Sequence, residues 1–180
     1  MKETLKKELE LPEGVTASLD GKVLIVKGPK GENQRDFAHP RLEVTIEGNK
    51  IMLNTINATK REKKIIGTYA AHINNLIRGV QEKFGYDLKI CSGHFPMNVS
   101  VSGSKFIIKN FLGEKHPREI QFPQEVQVKV NGEIVEVKSC SRELAGQVAA
   151  KIEQMCRITN RDRRIFQDGV YITKKPRYSD

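Results

Sequence analysis

Tryptophan is absent from this 180-residue chain, and cysteine is nearly so. Cys91, Cys140 and Cys156 are odd in number and widely spaced. They make neither a disulfide framework nor a C-x-x-C zinc clip. Reduced, mostly buried thiols in a cytosolic protein are expected. The N-x-S/T matches at Asn57 and Asn98 then carry no glycosylation meaning. Long apolar runs are missing too. No stretch approaches the ~18 residues a membrane span needs, so no membrane partner is expected through a spanning segment. The start, Met1-Lys2-Glu3-Thr4-Leu5, has no apolar signal core, and secretion is not indicated. The four histidines, His39, His72, His94 and His116, show no H-x-x-x-H spacing. A nucleophile elbow, a P-loop and a G-x-G-x-x-G are lacking. No catalytic residue, metal or cofactor is expected. An unfamiliar active site would need His94, His116 and Cys91 to converge, and their spacing does not require it.

What the chain has in excess is positive charge. Lys and Arg number 31 against 22 Asp and Glu, a net charge of +9. Such a balance suits a polyanionic partner, nucleic acid first and an anionic membrane surface second. It also simply keeps a protein soluble.

The chain repeats itself. Leu11-Pro12-Glu13-Gly14-Val15-Thr16 matches Phe95-Pro96-Met97-Asn98-Val99-Ser100. Gly21 to Lys27 then matches Gly103 to Lys109, and Gly31-Glu32 matches Gly113-Glu114. Leu42 to Gly48 matches Val126 to Gly132, and Gly67 to Arg78 matches Gly146 to Arg157. The spacing drifts at the connections and holds within elements, as in a duplicated fold. We therefore expect an α+β chain of two tandem similar domains, residues 1–80 and 81–180. The boundary is placed near Gly79 to Gln81.

Each repeat predicts strands and one helix. Leu42, Val44 and Ile46 alternate with Glu43, Thr45 and Glu47, and Val126, Val128 and Val130 alternate likewise. Gly48-Asn49 and Asn131-Gly132 sit where hairpin turns belong. Ile66, Tyr69, Ala70, Ile73, Leu76, Ile77 and Val80 form one helical stripe. Leu144, Ala145, Val148, Ala149, Ile152 and Cys156 form the other. A single stripe needs a cover, so each helix is expected across its own antiparallel sheet. Met1 to Leu9 is expected to be a mobile charged start. His72 falls off the stripe and is expected on an exposed face.

Four segments with basic residues stand out. Lys60-Arg61-Glu62-Lys63-Lys64 begins the first helix and is expected to be a solvated helix end. Gly28-Pro29-Lys30-Gly31 has the G-x-x-G spelling of a K-homology RNA clamp. It follows a strand rather than joining helices, so a strand-connecting turn with Lys30 facing solvent is expected. The third cluster, Arg157-Ile158-Thr159-Asn160-Arg161-Asp162-Arg163-Arg164, precedes Ile165-Phe166-Gln167-Asp168-Gly169-Val170-Tyr171. From Arg157 to Asp180 there are seven basic and three acidic residues. Guanidinium forks match phosphate geometry, although a solvated basic tail reads the same way. Tyr171 and Tyr178 are candidates to stack on bases, yet Tyr171 also alternates like a strand residue. Lys109 to Arg118 is a second basic loop, with Lys109, Lys115, His116 and Arg118. His94 and His116 are placed in loops, where solvation is the default.

Two strings then become recognisable. They are His94-Phe95-Pro96-Met97-Asn98-Val99 running on to Asn110-Phe111-Leu112-Gly113-Glu114-Lys115, and Asp162-Arg163-Arg164-Ile165-Phe166-Gln167-Asp168-Gly169-Val170-Tyr171. With Leu11 to Val15 and Gly21 to Gly31, they resemble the archaeal and eukaryotic branch of the large-subunit ribosomal protein six family. The resemblance implies two α+β domains, no catalysis and a cytoplasmic ribosomal location. It implies attachment to large-subunit rRNA, chiefly by the second domain, near the sarcin–ricin loop and the stalk base where translational GTPases dock. Neighbouring ribosomal proteins would pack alongside. The archaeal branch is expected because the chain stops soon after Lys175. On this reading the RNA contacts are Arg161, Arg163, Arg164, Lys174 and Lys175, with Arg157. Lys109, Lys115, His116 and Arg118 follow. The first repeat is expected to face other proteins or solvent. A free-standing RNA-binding regulator is the alternative.

Overall fold

The computed structural model describes residues 3–176, the side chains of residues 3 and 57 excepted. Arg177 and Tyr178 lie outside the described residues. The chain divides into two compact units, Met1–Lys83 and Phe84–Asp180.

The first unit holds strands β1 (Glu3–Glu10), β2 (Thr16–Asp20), β3 (Val23–Gly28), β4 (Gly31–Asp36), β5 (Glu43–Glu47) and β6 (Lys50–Ala58), then helix α1 (Lys60–Gln81). They build two antiparallel three-stranded sheets, β1-β6-β5 and β2-β3-β4. Alternation decides the faces. Leu24 and Val26 of β3 are fully buried, as are Ile51 and Leu53 of β6. The α1 stripe closes over them, with Ile66, Ala70, Ile73, Leu76, Ile77 and Val80 in the same core cluster. Thr59 caps the helix: its backbone N–H donates to Glu62 Oε2 at 3.0 Å, and its hydroxyl bonds the same carboxylate. These bonds hold the Glu62 carboxyl down to about 2. Lys60, Arg61, Lys63 and Lys64 around it are solvated.

The expectation of a mobile start is overturned from residue 3 onward, Met1 and Lys2 lying outside the described residues. β1 pairs along β6, with Leu5 opposite Thr55 and Leu9 opposite Ile51. Those two leucines turn toward the core. The charged residues between and beyond them suit an edge strand, where charge discourages pairing with other chains. The Gly28 to Gly31 segment is the β3–β4 turn, as expected. Its first glycine has a packing reason. A Cβ on Gly28 would stand 2.7–2.9 Å from Val80 Cγ2, Cβ and carbonyl oxygen, so strand and helix end are in contact.

The second unit repeats the plan with β7 (Phe84–Cys91), β8 (Asn98–Ser102), β9 (Lys105–Lys109), β10 (Arg118–Gln121), β11 (Gln127–Asn131), β12 (Ile134–Ser139) and α2 (Arg142–Met155). Its sheets are β10-β9-β8 and β11-β12-β7-β13, the last strand, β13, being Gly169–Lys174. Phe106, Ile108, Val135, Val137 and Ile152 are fully buried in one cluster. The two-residue hairpin at Gly132 places its glycine at φ 60°, and Gly48 in the matching turn of the first unit has φ 58°. A side chain is disfavoured at both. In each unit one helix packs on antiparallel strands, as the two stripes require, and those strands form a pair of small sheets.

The units differ chiefly in one strand. In the first, β1 is a sheet edge. In the second, β13 lies outside the equivalent strand β7, from Gly169 opposite Cys91 to Lys174 opposite Asp87. The arginine cluster is thus not a tail. It is a loop anchored by α2 at one end and β13 at the other.

Candidate nucleic-acid interface

Three loops of the second domain are tied together around Asp168. This carboxylate is 1% exposed. Its Oδ2 accepts the backbone N–H groups of Gly93 and His94, both at 3.0 Å. Its Oδ1 lies 2.6 Å from His94 Nδ1. Burial pushes the Asp168 carboxyl up, but the His94 ring and the two N–H groups outweigh it and leave the group below its ordinary value. The His94 ring then stacks on Phe166, with centroids 4.4 Å apart and planes 18° from parallel. The Arg161 guanidinium stands 4.8 Å from the Phe166 centroid, a cation–π arrangement. Tyr171 donates its hydroxyl to the Asp168 carbonyl at 3.2 Å.

The β7–β8 loop that carries His94 is fastened on its other side as well. Asn110 Nδ2 donates to the Pro96 carbonyl at 3.1 Å. Gly113 lies against the Phe95 ring. The turn that supplies both is tight: Asn110 (φ 61°), Leu112 (φ 48°) and Gly113 (φ 80°) are all left-handed. Asn adopts that region readily and Leu does so at a cost of ~1–2 kcal/mol. Exposed Lys109 stands just before this turn, and exposed Lys115 and His116 just after it.

The ten sequence-predicted residues separate into two kinds. Arg118 is committed within the domain. Its Nε donates to Glu114 Oε2 at 2.8 Å, and its Nη2 bonds the other carboxylate oxygen. Its Nη1 reaches the carbonyls of Met155 and Arg157, and its guanidinium lies 4.3 Å over Phe111. That fork pins the β10 start to the end of α2. The other nine point outward. Arg157, Arg161, Arg163 and Arg164 are exposed along the α2–β13 loop. Arg164 forms a solvent-open pair with Asp162, Nη2 to Oδ2 at 2.7 Å, its side chain 89% exposed. Such pairs are held weakly enough for a phosphate to displace the carboxylate. Lys174 ends β13 with its ammonium 3.9 Å from Asp87, and exposed Lys175 follows.

Periodicity and charge missed Asp168 and Phe166 and read His94 as solvated. The missing signal is a pairing across 74 residues, which β7 and β13 bring about. His94 is held by its carboxylate rather than converging with other histidines. No group of three or more His, Cys, Asp or Glu is placed to hold a metal among the described residues. No described helix is long and apolar enough to cross a membrane. His72, expected on an exposed face, is instead half-buried on α1, between exposed Ala71 and buried Ile73.

The class these features define is a duplicated α+β protein whose second copy carries a loop-built basic face. The particular family follows from comparison. The profile of the family described as Ribosomal protein L6 matches residues 11–83 and 95–169, once in each unit. The large ribosomal subunit protein uL6 of Methanocella arvoryzae is 44% identical over 170 residues, covering 94% of this chain and 96% of the relative. Its counterpart in Aeropyrum pernix is 45% identical over 168 residues, covering 93% and 92%. That of Nanoarchaeum equitans is 44% identical over 180 residues, covering 95% and 93%. The chain belongs to the ribosomal protein L6 family.

Proposed function

We propose that this protein is a non-enzymatic structural constituent of the large ribosomal subunit. It grips large-subunit rRNA through its second domain. The site of attachment is the neighbourhood of the sarcin–ricin loop and the stalk base, beside the docking place of translational GTPases and among neighbouring ribosomal proteins. The observation that carries the rRNA grip is the exposed arginine loop between α2 and β13, basic yet tied down by Asp168, Phe166 and the Arg118 fork. Placement near the sarcin–ricin loop rests on the family resemblance.

The mechanism is charge neutralisation with counterion release. Arg157, Arg161, Arg163, Arg164, Lys174 and Lys175 meet phosphates from one side. Lys109, Lys115 and His116 meet them from the neighbouring loop. Arg118 acts by holding the two together. Loops fastened in advance fit RNA shape without a large ordering cost on binding.

Replacing Arg163 and Arg164 with Ala tests the reading. In filter binding to large-subunit rRNA, affinity should fall, and the slope of log affinity against log salt should shrink by about one for each phosphate no longer neutralised. The fold should hold, because both side chains are exposed. An unchanged slope and affinity would remove these arginines from the interface. Sucrose-gradient fractionation at high salt separates the ribosomal protein from a free-standing RNA-binding regulator: the former travels with large subunits.

A further inference from the structure

Behind the arginine loop lies a cleft of about 300 Å³, between the end of α2, the loop and β13. That is the small end of the ligand-site range of about 300–1,000 Å³, and it suits one flat ring system. Its walls are mixed in a particular way. Ile158 is half-buried and packs against the core, and Phe166 and Tyr171 bring aromatic carbon. The Phe166 ring is already engaged, since His94 stacks on it and the Arg161 guanidinium stands 4.8 Å from its centroid. Tyr171 is 40% exposed, and its ring is steadied by the hydroxyl bond to the Asp168 carbonyl. Arg157 and Arg163 stand at the rim, exposed and with no carboxylate partner among the described residues. The exposed amides of Gln154 and Gln167 border the same opening. An amide offers both a donor and an acceptor, as a base edge requires.

We propose that this cleft receives one unstacked nucleobase of the bound RNA, its ring against Tyr171 and Ile158 and its flanking phosphates on Arg157 and Arg163. The proposal rests on the rRNA-binding reading above and deepens it from backbone grip to capture of a single nucleotide. RNA recognition commonly uses bases splayed out of a loop or bulge and stacked on aromatic rings or guanidinium planes. The charge of the rim selects a nucleotide over a neutral or basic peptide side chain. The thiol beneath does not compete: Cys156 is buried, and burial pushes it up to about 11, so it stays neutral. Capture of one base would add a contact to the base itself, which phosphate contacts, positioning the RNA but carrying no sequence information, do not supply.

The test uses the full-length protein and protein-free large-subunit rRNA. Ile158→Phe fills the cleft without changing charge. Affinity in filter binding should fall about 5- to 150-fold, the amount carried by one stacked base. The salt slope should stay at the parent value, because every phosphate-binding side chain is kept. Short-wavelength ultraviolet cross-linking of the parent complex should give a single-nucleotide adduct on the peptide containing Tyr171, and Ile158→Phe should abolish it. A thermal melt checks folding. If Ile158→Phe does not fold, Gln167→Leu on the exposed rim decides by the same two readouts. Parent-like affinity with no adduct at Tyr171 overturns the cleft proposal alone, provided Arg163→Ala with Arg164→Ala still lowers the slope. If neither set of variants moves affinity or slope, the RNA-binding reading falls with it.

Discussion

Removing the Asp168 side chain should unfasten the second domain's loops, and the size of the effect can be worked from its bonds. Three hydrogen bonds end on this carboxylate. Bonds to a charged group contribute ~1.5–3 kcal/mol each. Gly93 and His94 lie in an exposed loop, so water replaces part of what Asp168→Ala removes. A net cost of about 2–4 kcal/mol remains. For a domain of about 100 residues, each kcal/mol moves the melting temperature by about 4–8 °C. Calorimetry should therefore show the second domain melting roughly 10–30 °C lower, and the first domain unmoved. Asp168→Asn keeps one acceptor but turns an amide N–H₂ toward donors, and should fall between. The pH dependence has a fixed sign. The carboxyl sits below its ordinary value in the folded state. Its contribution is complete above the unfolded value near ~4 and is lost as pH falls through the lowered folded value. Parent and Asp168→Ala stabilities should converge in acid. A melting temperature within a few degrees of the parent at neutral pH would refute the latch.

Two further substitutions probe other joints. Gly28→Ala drives a methyl into Val80, backbone oxygen included, and should cost the first domain about 1–3 kcal/mol, read by urea unfolding with the second domain's transition unchanged. Arg118→Lys keeps the charge but loses the fork that reaches Glu114 and two carbonyls. It should lower second-domain stability by about 1–3 kcal/mol and weaken rRNA binding while leaving the salt slope near the parent value. A slope reduced as by Arg163→Ala would mean that Arg118 meets phosphate directly.

Much of the fold was legible because both repeats announce their periods. The stripe from Ile66 to Val80 and the alternation from Val126 to Val130 each require a particular face, and burial follows it. β1 was not legible because Lys6, Lys7, Glu8 and Glu10 obscure two leucines. An edge strand needs so little apolar character that local pattern cannot announce it. Arg118 shows a different limit. Its sequence neighbourhood is basic like that of Arg163, yet one is bonded to carbonyls 37 and 39 residues away and the other faces solvent. Charge identifies candidates, and only tertiary contact separates those that hold the domain from those free to meet a partner. The same holds for Asp168, which reads as one acidic residue near arginines until β13 brings it to Gly93.

The outer position of β13 has a consequence for the order of events during synthesis. The first domain's elements are complete once α1 has emerged at Gln81. The second domain's first strand, β7, emerges next but finds its β13 partner only about 80 residues later. Closing so distant a pairing is slow and entropically costly. Until then the edge of β7 stays unpaired, His94 has no carboxylate, and the arginine loop has only one anchor. The first repeat can be fully folded on the ribosome that makes it, while the arginine loop gains its second anchor as the last structural step. A newly made chain would then carry a finished domain and, for as long as that single strand is late, a basic loop held at one end only.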